Sequence, residues 1–197
     1  NKNIWVDDGQ FQWYNTGDLG KEDEDHYFWL TGRKKELIIR GGHNIDPKAI
    51  EEPLSKHPAI AAAAAVGRPD KKVGELPVAY IVLKPGQSIT EEELIAYGKQ
   101  HIAERAAQPK KIYFLDQLPL TAVGKVFKPK LSDLQNMEVC FQELEALGLF
   151  SGLDLHVKLT TDKGRVTFIK ATAKDGQNHS TTIRGALSDY TFPFEIV

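Results

Sequence analysis

The 197 residues predict an α+β fold: a small mixed or antiparallel sheet with flanking helices, preceded by a short strand hairpin and followed by an α-β extension. Three observations carry that prediction. Between residues 60 and 115, apolar runs of strand length and one capped helical stretch follow the order strand, strand, helix, strand. Residues 1–31 hold short apolar segments separated by polar turn signals, which is the patterning of paired strands. Beyond Leu131, a helical stripe of apolar residues precedes two strand-length runs that flank Asp162-Lys163-Gly164.

Taken in order, Ile4-Trp5-Val6, Phe11 to Tyr14 and Tyr27 to Leu30 read as two or three strands, with turns at Asp7-Asp8-Gly9 and in the acidic stretch Glu22 to Asp25. So many aromatics call for a larger core than this segment can build. Leu37-Ile38-Ile39 is too short for a helix and reads as a strand entering a Gly41-Gly42 turn. Asp46 and Pro47 suit the start of a helix over 47–57, with Ile50 and Leu54 on its apolar face. Pro53 predicts a kink or an early end there. Ile60 to Val66 reads as a buried strand, Gly67 to Asp70 as a turn, and Pro77 to Leu83 as a second strand ended by Pro85-Gly86. Thr90-Glu91-Glu92-Glu93 is a capping box opening a helix to about Ala107, broken by Pro109. Lys111 to Leu115 is a further strand. The predicted extension holds a helix over Gln135 to Leu147, stopped by Gly148, a hairpin of Leu153–Leu159 with Val166–Ala171, a strand over Thr181–Leu187 and a last strand from Tyr190 to Val197.

Composition excludes several function classes. With 25 basic and 27 acidic residues, no general electrostatic attraction to nucleic acid or an anionic membrane is expected. Cys140 is the only cysteine, which removes a disulfide framework and a cysteine metal site and predicts a reducing, cytoplasmic setting. His156 and His179 read as single strand and loop histidines, so no metal site is expected. No apolar run approaches the roughly 20 residues of a membrane span, and the start has no signal-peptide pattern. The single methionine is Met137, so Asn1 does not read as a translation start and a piece of a longer protein is expected.

Three stretches carry chemistry. In Tyr14-Asn15-Thr16-Gly17-Asp18-Leu19-Gly20, a carboxylate in a glycine-bounded turn can accept both hydroxyls of a ribose, although alone it reads as a turn aspartate. Fifteen residues on, Arg33 offers a guanidinium that can clamp the same sugar or a phosphate; alone it reads as surface charge. Thr31 to Pro47 joins Arg33, Lys34 and Lys35, an apolar triplet and Gly41-Gly42, where another molecule can approach bare backbone. In Leu118 to Val126, Lys125 follows Gly124 on a loop, where an ammonium can act as a point charge on a phosphate or carboxylate.

Together, Tyr14 to Asp18, Gly32 to Glu36 with Gly41 to Ile45, Ile50-Glu51-Glu52, His57-Pro58, Gly67 to Asp70 and Pro119 to Lys125 resemble the C-terminal part of an adenylate-forming, AMP-binding enzyme, and within that superfamily the acyl-CoA synthetases. The resemblance covers about residues 10–131, roughly two thirds of the chain. It implies that Asp18 binds the ribose of ATP or the acyl-adenylate and that Arg33 supports the same nucleotide. Lys35 then takes the hinge position between a large N-terminal and a small C-terminal domain. Lys125 becomes the mobile lysine of adenylation, and Gly41-Gly42 the turn that lines the CoA pantetheine channel after the small domain rotates.

On that reading residues 1–34 are trailing strands of the large domain, 35–131 the mobile domain, and 132–197 a helix-plus-hairpin extension with no assigned role. ATP and CoA are substrates, Mg2+ is expected with ATP, and the partners are a carboxylic acid and the missing N-terminal domain of the same polypeptide. Four positions depart from the family pattern: Asn15 and Asn44 stand where many relatives carry cations, Lys128 where arginine is frequent, and Pro53 is uncommon. The family's phosphate loop and acyl pocket are absent from these residues, so this piece alone is expected to be inactive. Two alternatives stand beside this one. An adenylation domain of a modular synthetase would call for a Gly-Gly-x-Ser carrier site, which 132–197 lack. A non-catalytic binding or assembly module would retain the fold and form an oligomer through the strands of the extension.

Overall fold

The computed structural model describes residues 4–149, 153–160, 166–173 and 179–196. Its centre is a mixed five-stranded sheet in the order β6-β5-β8-β7, with β9 pairing β8 further along the same strand. These strands are β5 (Ile38–Arg40), β6 (His43–Ile45), β7 (Ile60–Asp70), β8 (Gly74–Leu83) and β9 (Ile112–Phe114). The β7-β8 hairpin is antiparallel with Val66 opposite Val78, whereas β9 joins β8 in parallel through Ala79 and Ile112.

β7 and β8 are buried on both faces, and for that reason they read as continuous apolar runs rather than as alternations. Ala65, Ala79 and Ile81 point into one core with Ile50, Leu54, Leu94 and Ile102. Their neighbours Ala64, Val66, Val78 and Tyr80 point into another with Leu118 and Leu131. Helices α1 (Lys48–Ser55) and α2 (Glu91–His101) cover the first face, and α3 (Lys128–Ala146) covers the second.

Several boundaries differ from the sequence expectation. The turn expected at Gly67–Asp70 lies after Asp70, because the register continues through Arg68 opposite Leu76. Asp70 Oδ1 accepts the Lys72 and Val73 amides and closes the turn there. Pro69 is accommodated because β7 is an edge strand of the sheet. The capping box at Thr90 forms in full, but α2 ends at His101. Ile102 leaves the helix in an extended conformation and drops into the core, and only a 3-10 turn, Arg105–Ala107, follows. α1 runs through Pro53, which lies inside it, and closes at Ser55, two residues short of the expected 57. The third helix begins at Lys128 and not at Gln135; Pro129 in its first turn was the start signal, since its missing amide hydrogen costs nothing there.

In the extension, β10 (Leu153–Thr160) and β11 (Val166–Ala173) pair antiparallel, with the expected turn at Asp162-Lys163-Gly164 outside the described residues. Residues expected as a strand over 181–187 instead form α4 (Ser180–Leu187). Ile183 and Leu187, four apart, are both fully buried against Val139, Cys140 and Leu144 of α3, so tertiary packing selects the helical period. The last strand is shorter than expected: β12 (Phe194–Ile196) joins β11 in parallel. His156 lies in β10 and His179 just before α4, the strand and loop positions expected.

At the start, β1 (Trp5–Asp7) pairs with β2 (Gln12–Tyr14), and β3 (Asp18–Glu22) with β4 (Phe28–Arg33). The aromatics here lie open: Phe28 is 80% and Trp5, Trp13 and Trp29 are 56–58% exposed. Among the described residues no helix is long and apolar enough to cross a membrane.

Candidate functional site

The first group of candidate residues is built by the β3-β4 hairpin. Gly17, at φ +76°, turns the chain so that Asp18 opens β3 directly opposite Arg33 at the end of β4. The turn is locally determined: Asn15 Oδ1 accepts the Gly17 amide at 3.0 Å and Thr16 Oγ1 the Asp18 amide at 3.1 Å. Asp18 therefore stands on a strand and not within the turn. Arg33 Nε donates to Asp18 Oδ1 at 3.1 Å, and both side chains stay partly open. A carboxylate and a guanidinium held side by side can bind a diol and a neighbouring anion together.

Lys35 lies exposed in the 3-10 turn Lys34–Glu36 that joins this hairpin to β5. Arg33, Lys35, Glu36, Glu75 and Lys128 line one cavity of about 330 Å³. Glu75 accepts the Ile39 amide at 2.8 Å, and burial pushes its carboxyl above the usual carboxylate range. Its place depends on Gly67, where an added Cβ would come within 2.4 Å of the Glu75 carboxyl carbon. Lys128 lies 3.2 Å from Glu36 and 2.9 Å from Glu51. Sequence reasoning missed Glu75 altogether and saw Lys128 only as a substitution; the one available signal was a glycine, Gly67, directly after the apolar run Ile60 to Val66.

Gly41 and Gly42 form the two-residue turn between β5 and β6, with Arg40 opposite His43. Both have positive φ, +56° and +87°, which is the backbone of a type I′ turn. No atom lies within 4 Å of a Cβ placed at either position, so the outer side of the turn is bare backbone. Arg40, Gly41, His43, Lys99, Arg105 and Lys110 border a groove of about 640 Å³ beside it. Arg40 is fixed by donation to the Ala106 carbonyl at 2.6 Å. Lys111 is held elsewhere: it pairs with Glu138 at 3.0 Å, and that hydrogen bond raises its pKa.

Lys125 closes a small hairpin rather than riding a flexible loop. Its carbonyl accepts the Thr121 amide at 2.7 Å, its amide donates to Thr121 Oγ1 at 3.1 Å, and Leu120 bridges Val126. Gly124, at φ +78°, makes that closure possible and leaves Lys125 exposed. The structure thus brings Asp18, Arg33 and Lys35 to neighbouring positions, with Gly41-Gly42 and Lys125 on two other hairpins. The described residues bring together no group of three or more His, Cys, Asp or Glu side chains that could ligate a metal ion.

Residues 49–125 match the model of the AMP-binding enzyme C-terminal domain family. The chain is 54% identical over 128 residues to marinolic acid–CoA ligase of Pseudoalteromonas sp., a match covering 65% of this chain and 19% of that protein. It is 44% identical to indoleacetate–CoA ligase of Aromatoleum aromaticum, over 62% of this chain and 24% of that one. Among solved structures, ATP-bound MatB from Rhodopseudomonas palustris matches with a TM-score of 0.61 at 36% identity, covering 68% of this chain and 26% of the other. The o-succinylbenzoate CoA synthetase of Bacillus subtilis, in complex with its acyl-adenylate intermediate, matches with a TM-score of 0.59 at 38% identity, with the same two coverages of 68% and 26%. The chain spans about a fifth to a quarter of the length of these relatives. Residues 49–125 of this chain are therefore similar to an AMP-binding enzyme C-terminal domain, and about two thirds of the chain is similar to one part of acyl-CoA ligases.

Proposed function

We propose that this chain is the C-terminal part of an ATP-dependent acyl-CoA ligase, which converts a carboxylic acid, ATP and CoA to acyl-CoA, AMP and pyrophosphate through an acyl-adenylate. The observation that carries the proposal is the distribution of its candidate groups. The bare Gly41-Gly42 turn borders a groove lined by Arg40, Lys99, Arg105 and Lys110, whereas the exposed Lys125 stands on a different hairpin. A body that serves two half-reactions at one pocket needs two such separate presentations. In the first, the Lys125 ammonium meets the developing charge between carboxylate and phosphate, while Asp18 and Arg33 hold the nucleotide. In the second, rotation about Lys35 withdraws Lys125 and brings the glycine turn to the thiol arm, where the absence of a side chain lets the arm pass and the basic groove suits the phosphates of CoA.

The exposed tryptophans and phenylalanines of the first strands support a large N-terminal domain of the same polypeptide as the partner that covers them. In this proposal the acid pocket, the phosphate loop and Mg2+ with its ATP belong to that domain, and the chain alone does not form adenylate. The mobile unit begins at Lys35, and α3, continuous from Lys128 to Ala146, carries the extension with it.

The test is Lys125→Ala in the intact ligase. Adenylate formation, read as pyrophosphate release, should fall about 10²–10³-fold, the usual loss of one preorganised charge-stabilising group. Thioester formation from supplied acyl-adenylate should persist. Equal loss of both half-reactions would reject the reading.

A further inference from the structure

We propose that Lys128 is a positioning residue that fixes the Lys125 hairpin relative to the hinge turn; the inference rests on the roles proposed above for Lys125 and Lys35. Lys128 is the first residue of α3, and only 15% of its side chain is exposed. Its ammonium is shared by two carboxylates from separate elements, Glu36 Oε2 at 3.2 Å and Glu51 Oε1 at 2.9 Å. Glu51 belongs to α1, and its Oε1 also accepts the Ala65 amide of β7 at 2.7 Å, so that carboxylate is held to the central sheet. Glu36 closes the 3-10 turn that contains Lys35. The ammonium therefore reaches from a point fixed on the sheet to the hinge turn.

In the other direction along the chain, only Val126 and Phe127 separate Lys128 from Lys125. Neither is slack. Val126 bridges Leu120, and the Phe127 amide donates to the Pro119 carbonyl at 2.7 Å. A shift at the start of α3 is passed to the base of the Lys125 hairpin instead of being absorbed between them. Because a misplacement of about 1 Å can cost as much as 10²-fold in rate, this linkage sets how well the Lys125 ammonium meets its target. A side chain held by Glu36 and Glu51 can in this way control the step that uses Lys125. The thioester step does not use that lysine and is spared.

The experiment compares Lys128→Met, Glu36→Gln, the double variant and Lys128→Arg in the intact ligase. Lys128→Met should lower kcat of adenylate formation about tenfold, with KM for ATP within about twofold and thioester formation from supplied acyl-adenylate within about twofold of the parent. Glu36→Gln should show the same split at smaller size, and the double variant should fall no further than Lys128→Met, since both cut one linkage. Lys128→Arg, whose planar fork can still bridge two acids, should restore the rate. Equal loss in both half-reactions, additive effects of the two single changes, or failure of arginine to rescue overturns the proposal. Should Lys128→Met not fold because two carboxylates are left facing each other, Glu36→Gln decides alone, and unchanged adenylation there overturns it. Lys125→Ala separates the two levels. If it spares adenylation, the functional reading and this inference both fall; if it abolishes adenylation while Lys128→Met and Glu36→Gln harm both steps equally, only this inference falls.

Discussion

Gly42 and Gly67 are glycines for different reasons, and the difference predicts different losses. At Gly42 the backbone is at φ +87° with open space outside, so a side chain collides with nothing in the chain and meets only what approaches from outside. On the proposed function, Gly42→Leu in the intact protein should lower thioester formation about tenfold or more while leaving adenylate formation within about twofold; normal thioester formation would remove the proposed channel role. Some loss of stability is also expected, about 1–2 kcal/mol for a side chain in the left-handed region. At Gly67 the constraint is internal. A Cβ there displaces the Glu75 carboxylate from the Ile39 amide, and Gly67→Ala should cost about 1–2 kcal/mol. A urea titration reads this directly, and an unchanged midpoint would mean that Glu75 moves aside freely.

At the scale of elements, α2 shows how a local signal sets one end of a helix and packing the other. Thr90 Oγ1 accepts the Glu93 amide at 3.2 Å, and Glu93 Oε2 accepts the Thr90 amide at 2.9 Å. Thr90→Ala leaves the Glu93 amide without its side-chain acceptor and should lower stability by about 1 kcal/mol, seen as a lower urea midpoint at unchanged slope. The other end has no cap of that kind. Ile102 is 3% exposed and packs beside Leu54 and Leu94, and the helix stops where its side chain must reach that core.

The whole molecule is joined across its second face by polar contacts from α3. Arg68 donates to Gln135 at 2.8 Å and lies 3.2 Å from Glu138, while Tyr113 donates to Glu138 at 2.7 Å. Gln135, fully buried, donates in turn to the Tyr80 hydroxyl, whose pKa is pushed up to about 12 by burial. Burial of Glu138 opposes its ionisation, but hydrogen bonds from Tyr113 and Lys111 outweigh this and hold its pKa below the ordinary 4.5. A carboxylate with a depressed folded pKa contributes stability that is full above its unfolded pKa and is lost as pH falls through the folded value. Tm should therefore fall as pH drops below about 4.5, and Glu138→Gln should flatten that decline while lowering Tm near neutrality. An identical acid profile in the variant would show that this network does not govern the acid limb.

What the sequence determined by itself is local or periodic. The Thr90 capping box, the apolar runs of β7 and β8 and the glycine turn after Arg40 all depend on neighbours within a few residues, and each is present. Residue type and order singled out Asp18, Arg33 and Lys125, and the pairing of the first two on facing strands follows from the hairpin between them. Tertiary structure decided the rest. Residues 180–187 are helical because Ile183 and Leu187 must both face α3, a condition imposed from some forty residues away. Arg68 opposite Leu76 kept β7 going past its expected turn, because ladder pairing outweighs the turn preference of Gly-Arg-Pro-Asp. Lys111 reached Glu138, and Lys128 reached Glu36 and Glu51, because the fold brought those acids within about an ion pair's reach. A charge in a sequence names no partner, and only the packing of α3 on the sheet supplied one.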